Sequence, residues 1–511
     1  MENHDDPQGG VTDRVTRSMN IHGCLQQVAG LRPYASAIQC CNQELSYSEF
    51  LAAVDRAAIA LHACGIGKGT AIAFLSENRL EMMTAYYAAA RLGAVFVPVN
   101  PSLTAREVSH IVTHSEATIL FHDEIMRAVA EQAAPTEKLR SYEVLHGKGN
   151  GSLPTAAIDP ADDFLIIYTS GSTGAPKAVL FDQAAEIAGN AALIEMWDIT
   201  ERDVTLVALP LGFLYGLSTA AATGLQAGGK VVIQRRFHPR EVLEAFVQHQ
   251  VTVYHGVPTM FVMMVDYAEQ NEVKVDLSFM RLLICAGAPL SAELKARFAA
   301  RFNKKIDDYY ALTEIRPVFG RFARDSSQIP NGAIGRRAPG ATIRIVDSAG
   351  QEVPLCEQGE LLVHAPSTMK RYFKDEALTK AALQEGLFRT GDLGFEDSSG
   401  YYHLTGRAKD IIIRGGANIA PAEVENVIVR HPAVQSAAVI GVPDRKYGEV
   451  PVAFIVLRGG TEVTIEALSA HCSAELADFK VPSAFRLLPE FPLGATGKVD
   501  KKALKVLWAE N

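Results

Sequence analysis

Cysteine is scarce in this chain, and the seven present include no Cys-x-x-Cys pair. That excludes a disulfide framework or a zinc signature as the device holding the fold. The adjacent Cys40 and Cys41 read as buried thiols, not as a site. No dense Lys/Arg run occurs and the net charge is −9, which argues against a nucleic-acid partner. No segment reaches the roughly 18 uninterrupted apolar residues of a membrane span. Residues 1–18 are polar, carry Asp5, Asp6 and Asp13, and hold no apolar stretch. They read as a disordered tail, not as a signal peptide, so a cytoplasmic location is the expectation. There are no internal repeats.

What is present describes a globular chain: 48% apolar and 21% charged residues over 511 positions. That length is too great for one ordinary core, so two or more domains are expected. Strand–helix alternation runs from residue 45 to about 340. Strands are predicted at 70–75, 94–98 and 117–121, with a helix at 79–92. A further unit comprises a strand at 230–233, a helix at 239–249 and a strand at 251–254. The next has strands at 281–285 and 305–309 around a helix at 292–302. Such spacing predicts open parallel sheets with helices on both faces, and ligands at the carboxyl ends of the strands. From residue 341 short strands at 342–347 and 359–364, punctuated by Gly and Pro, suggest a small antiparallel barrel. Beyond 406–410 comes a tail of normal domain size with its own α+β pattern. It has strands near 411–414, 437–440 and 452–457, and helices from 422 and near 465. The predicted architecture is α/β: residues 19–406 as a large N-terminal domain, 407–410 as a hinge, and 411–511 as a smaller mobile domain.

The most informative stretch is Tyr168-Thr169-Ser170-Gly171-Ser172-Thr173-Gly174-Ala175-Pro176-Lys177. It follows the apolar run 164–167, which suits a buried parallel strand. Gly171 and Gly174 allow backbone N–H groups to approach a ligand closely. Three hydroxyls (Thr169, Ser170, Thr173) and Lys177 add donors and a charge, so the loop suits phosphate oxygens. It is not a Walker A loop, because Ala175 and Pro176 separate Gly174 from Lys177. It is not a hydrolase elbow either, because position 170 is Ser where Gly-x-Ser-x-Gly requires Gly.

This loop is similar to the nucleotide-phosphate loop of the adenylate-forming superfamily, which comprises acyl- and aryl-CoA ligases, luciferases and peptide-synthetase adenylation domains. Later segments resemble that family in the same order. Gly287-Ala288-Pro289 falls where the family sets backbone against adenine. Tyr310-Ala311-Leu312-Thr313-Glu314 resembles Tyr-Gly-x-Thr-Glu. The resemblance implies that Tyr310 stacks on adenine, Thr313 meets phosphate and Glu314 holds Mg²⁺, a hard cation that needs only one or two carboxylates beside phosphates. Thr313-Glu314 taken alone reads as a helix-starting pair. Thr390-Gly391-Asp392 matches the motif whose aspartate accepts the ribose hydroxyls. Arg407 and Lys409 match the ribose-reaching residue and pivot of the interdomain hinge. Lys498, after Gly497, matches the lysine that serves the first half-reaction, and Gly415-Gly416 the lining of a thiol tunnel.

The implied chemistry is attack of a carboxylate on the α-phosphorus of ATP, giving an acyl-adenylate and pyrophosphate, then transfer to CoA. The implied acid pocket comprises Phe213, Leu214, Tyr215, Ala286, Ala311, Ile315 and Arg316. Most are apolar or aromatic, which suits an aryl or medium-length acyl group. Arg316 is the odd member: it pairs with a second polar substrate group, or it points to solvent. Three positions depart from the family pattern. Ala311 replaces Gly, Phe213 replaces a common His, and Ser102, Val481 and Ser483 replace basic residues that in some aryl-CoA ligases grip the CoA nucleotide. The alternative acceptors are therefore a carrier-protein thiol or an amine.

Overall fold

The computed structural model describes residues 19–147, 153, 158–169, 176–325, 327, 329–493 and 499–510. The expected tail at 1–18, the loop residues Ser170, Gly171, Ser172, Thr173 and Gly174, and Gly497-Lys498 lie outside the described residues.

One sheet has seven strands. Ala71–Leu75 and Val95–Val99 lie at its centre, paired in parallel with Ala73 opposite Val97. Both are buried at every position, as strands covered on two faces must be. The helix Leu80–Leu92 crosses between them, one position shorter than the predicted 79–92, with Arg79 at its N-cap. Gly93 ends it in the left-handed region at φ 66°, where a side chain would strain the backbone. Asp163–Thr169 joins this sheet in parallel through Phe96 and Leu165. The chain then returns: Lys177–Asp182 pairs antiparallel with Asp163–Thr169, Lys177 opposite Thr169. Lys177 therefore opens a strand, where the sequence suggested only the end of a loop.

The second sheet has Gln43–Ser46 at its edge, antiparallel to Ser36–Cys40. Six parallel strands follow in the order Ser36–Cys40, Lys230–Ile233, Val204–Val207, Val253–Gly256, Leu282–Cys285 and Asp307–Leu312. At Asp307–Leu312 it turns antiparallel through Ile315–Gly320. It runs on through Ala333–Arg337, Tyr402–Arg407, Leu387–Glu396, Gly359–His364 and Thr342–Val346. The antiparallel strands expected as a small barrel thus continue the parallel sheet without a break in hydrogen bonding. A third sheet takes Ile412–Arg414, Ala417–Ile419, Val434–Asp444, Gly448–Leu457 and Ala484–Leu488. With the helices Pro421–Val429 and Ile465–Glu475 it encloses its own apolar cluster around Ile412, Val439, Ile455 and Leu468.

The two adjacent cysteines separate. Cys40 ends a strand and is buried, whereas Cys41 sits in the following turn at φ 53° and is exposed. Successive residues at a strand end face opposite ways, so the expectation of two buried thiols holds for one only. Among the described residues no helix is long and apolar enough to cross a membrane.

Candidate active site

The carboxyl ends of the second sheet gather residues that the sequence scatters over a hundred positions. Tyr310, on Asp307–Leu312, donates its hydroxyl to Asp392 Oδ2 at 2.5 Å. Arg407 Nε lies 2.7 Å from Asp392 Oδ1, because Asp392 and Arg407 stand opposite each other on paired antiparallel strands. Burial and the neighbouring Asp392 carboxylate push the Tyr310 phenol far above its ordinary range, so it stays a neutral donor. One face of its ring stacks on Phe319 at 4.6 Å and 23°, and Phe319 stacks in turn on Tyr402 at 5.1 Å. Oδ2 thus accepts one hydrogen bond, Oδ1 faces the guanidinium as an ion pair, and each oxygen keeps a lone pair for another donor. Gly287, Ala288 and Pro289 are exposed just past the end of Leu282–Cys285, with Gly287 at φ 90°.

A second group surrounds Glu314. Thr313 and Glu314 form the turn between Asp307–Leu312 and Ile315–Gly320, so the helix-starting reading of this pair fails: a β-hairpin follows, not a helix. Tyr372 donates its hydroxyl to Glu314 Oε1 at 2.8 Å. Lys177 Nζ sits 5.1 Å over the Tyr372 ring, a cation–π contact. Tyr372 reaches this position because Arg371–Tyr372 adds to the edge of Lys177–Asp182, with Tyr372 opposite Val179. Lys177 and Glu314 are therefore tied together by a residue the motifs do not include. Its only signal is an aromatic at the end of Met369-Lys370-Arg371-Tyr372. Glu314 keeps its Oε2, so its carboxylate fits a cation held mainly by phosphate oxygens.

The acid pocket has two parts. After Phe213 and the buried Leu214 a π-helical segment, Tyr215–Ala222, begins; such wide turns recur at functional sites. Gly212, just before it, packs closely on Asn100: a Cβ there would lie 2.8 Å from Asn100 Cα. Tyr215 donates to the carbonyl of Ile284 at 3.2 Å, and Ala286, two residues beyond Ile284, is buried. Ile315 is buried and Ala311 partly so.

Arg316 behaves differently from either reading of it. Its side chain is 1% exposed, which excludes solvent, and it faces inward. Nη2 donates to Glu186 Oε1 at 2.8 Å and to Ser218 Oγ, and Nη1 donates to Asn190 Oδ1 at 3.1 Å. Glu186 is wholly buried. This guanidinium is committed to a carboxylate inside the fold, as a charge in low dielectric must be. Gly189 leaves it room, a Cβ there falling 3.3 Å from Nη1. The clue lay in the partner helix: Glu186 and Asn190 share one face of an otherwise apolar stretch.

The C-terminal motif residues sit on turns. Lys409 lies exposed in the short turn Ala408–Asp410. Gly415 (φ 57°) and Gly416 (φ 88°) form the tight reversal between Ile412–Arg414 and Ala417–Ile419, which needs positive φ at both central positions. Gly415 N–H donates to the Tyr447 carbonyl at 2.7 Å.

Residues 25–373 match the AMP-binding enzyme family, and residues 423–498 match the AMP-binding enzyme C-terminal domain. The chain belongs to the AMP-binding enzyme family. It is an AMP-forming ligase, and its relatives bear the names of acid–CoA ligases. An indoleacetate–CoA ligase from Aromatoleum aromaticum is 33% identical over 508 residues, covering 96% of this chain and 99% of that one. The ATP-bound structure of MatB from Rhodopseudomonas palustris superposes with a TM-score of 0.88 at 29% identity, covering 96% of this chain and 99% of that chain. The amide bond synthetase McbA from Marinactinospora thermotolerans superposes at 0.86 with 26% identity, covering 96% of this chain and all of that one (100%).

Proposed function

We propose that the chain activates a small carboxylic acid, aryl or medium-length acyl, with ATP, and passes the acyl group to CoA. What carries the reading is the convergence of Tyr310, Asp392 and Arg407, three motif residues from separate segments, in one group joined by a hydrogen bond and an ion pair. In this reading Asp392 and Arg407 hold the ribose, and Gly287, Ala288 and Pro289 flank the adenine beside Tyr310. Ser170, Gly171, Ser172, Thr173 and Gly174, flanked by Thr169 and Lys177, steady the β- and γ-phosphates. Glu314 would hold a Mg²⁺ whose charge would offset that of the phosphates, with Thr313 beside the phosphate. A carboxylate oxygen attacks the α-phosphorus and pyrophosphate leaves. The thiol of CoA then attacks the acyl carbon, and AMP leaves with that oxygen. Little covalent work falls to the protein, so positioning and charge stabilisation supply the rate. Lys498 steadies the first transition state, and rotation about Lys409 brings up Gly415-Gly416 for the second.

Transfer to an amine or a carrier-protein thiol is the second reading, and two observations favour it. The amide bond synthetase McbA matches along its whole length. In addition, Lys480, the one lysine of Lys480-Val481-Pro482, is already paired with Glu423 at 2.6 Å, while Ser483 bonds the Pro451 carbonyl. The test is pyrophosphate release from ATP across an acid panel, with and without CoA. Acid-dependent release with acyl-CoA formation is expected. Release without any thioester would move the assignment to the amine or carrier acceptor.

A further inference from the structure

Behind Tyr215 lies a polar centre that none of the roles above uses. His255, on Val253–Gly256, is 1% exposed, and neither ring nitrogen has a hydrogen-bond partner among the described residues. The Tyr309 hydroxyl, on Asp307–Leu312, is likewise buried and unpartnered. His255 stands opposite Ile284, and Ile284 opposite Asp307. With side chains alternating along a strand, His255 and Tyr309 therefore project from the same face of the sheet. Trp197 bridges them, its ring 5.2 Å from His255 and 5.0 Å from Tyr309, both edge-on. On its other side His255 meets Tyr215, a member of the expected acid pocket, at 5.6 Å and 89°.

Buried polar atoms in folded proteins are nearly always paired. Three orphaned ones around a single indole mark a place that something else completes. The chemistry of that partner follows from the walls. Burial alone holds the His255 imidazole down to about 3, so it is neutral near pH 7 and offers one donor and one acceptor. Arg316 could have offered a cation nearby but is committed to Glu186, so the centre favours no anion. Trp197, Tyr215 and Tyr309 surround it with ring faces and edges, which fit a flat group.

We propose that His255 and Tyr309 form the specificity end of the acid pocket and read a neutral hydrogen-bonding group, a ring hydroxyl or ring N–H, on an aromatic carboxylic acid. This rests on the acid-activating reading above and narrows its substrate class. An acid lacking that group leaves the three atoms unpaired in the complex, and a site built to hydrogen-bond discriminates strongly on that ground.

The experiment measures pyrophosphate release for the full-length enzyme, His255→Phe and Tyr309→Phe with matched acids. These are phenylacetate against para-hydroxyphenylacetate, cinnamate against para-coumarate, and naphthylacetate against indoleacetate, with aliphatic acids alongside. The unaltered enzyme should prefer the hydrogen-bonding member of at least one pair by about tenfold or more in kcat/KM. That ratio should collapse towards one in His255→Phe and fall in Tyr309→Phe. Because an unpaired imidazole is replaced by an apolar ring, the melting temperature of His255→Phe should hold or rise. A clear drop would mean that the imidazole is already paired within the fold, and would overturn the proposal. Activity without the preference, or a preference surviving both substitutions, refutes the proposal alone. No release with any acid refutes the acid-activating reading and the proposal with it.

Discussion

Replacing Arg316 by Met separates a structural from a substrate role more sharply than any other change. In the folded chain Glu186 accepts from Arg316 on Oε1, and from Tyr86 at 3.2 Å and Ser218 on Oε2. Removing the guanidinium leaves Oε2 hydrogen-bonded but strips the buried carboxylate of its only ion-pair partner among the described residues. Asn190 Oδ1 is less affected, since Thr223 still donates to it at 3.1 Å. Breaking a buried pair from one side costs about 3–5 kcal/mol, a large share of a typical domain stability of about 5–15 kcal/mol. Glu186→Gln should cost a similar amount, and the double variant about 1–3 kcal/mol less than the sum, because the second change removes a partner already lost. The assay is urea unfolding followed by Trp197 fluorescence in a Trp508→Phe background, which reports the part of the chain holding the pair. An unchanged unfolding midpoint for Arg316→Met, together with a raised KM for the acid, would refute the structural assignment and return Arg316 to the substrate.

Tyr310→Phe keeps the stack on Phe319 and loses the bond to Asp392; bonds to charged groups are worth about 1.5–3 kcal/mol, so KM for ATP should rise at least tenfold. Glu314→Gln should need much more Mg²⁺ for pyrophosphate release, an amide oxygen being the weaker ligand, and unchanged Mg²⁺ dependence would remove Glu314 from the metal site. Lys498→Ala should abolish adenylation yet retain thioester formation from a supplied acyl-adenylate, and equal loss in both steps would contradict that division. The fifth prediction concerns pH. Folded His255 titrates at about 3 against 6.5 for an unperturbed imidazole, so the unfolded chain binds the proton first. Its contribution to stability is present above about pH 6.5 and drains as pH falls towards 3, and His255→Phe should flatten that part of the acid-unfolding profile.

The first sheet was legible because its central strands are apolar at every position. Ala71–Leu75 and Val95–Val99 could only be buried on two faces. The nucleotide motifs were legible through their spelling, and the fold brings Tyr310, Asp392 and Arg407 together as their order suggested. What escaped depends on partners distant in the chain. Arg316 looked like a pocket residue because Glu186 lies 130 positions away and nothing local hints at the pairing. Tyr372 was missed because its link to Glu314, 58 positions off, exists only once a two-residue strand joins a sheet edge. Thr313-Glu314 taken alone suggested a helix start, since hydroxyl and acidic residues serve caps and turns alike. His255 carries no motif, and only its burial among rings with both nitrogens unpaired singles it out.

The central claim, that a carboxylate attacks the α-phosphorus of ATP, is tested most directly by following an oxygen atom. An activated acid is supplied with heavy oxygen in its carboxylate, together with ATP, Mg²⁺ and CoA, and the products are weighed by mass spectrometry. The attacking oxygen stays on phosphorus when the thiol displaces the adenylate. One label per turnover should therefore appear in AMP, with none in pyrophosphate. Unlabelled AMP, or ATP cleaved to ADP and labelled phosphate, would contradict the claim.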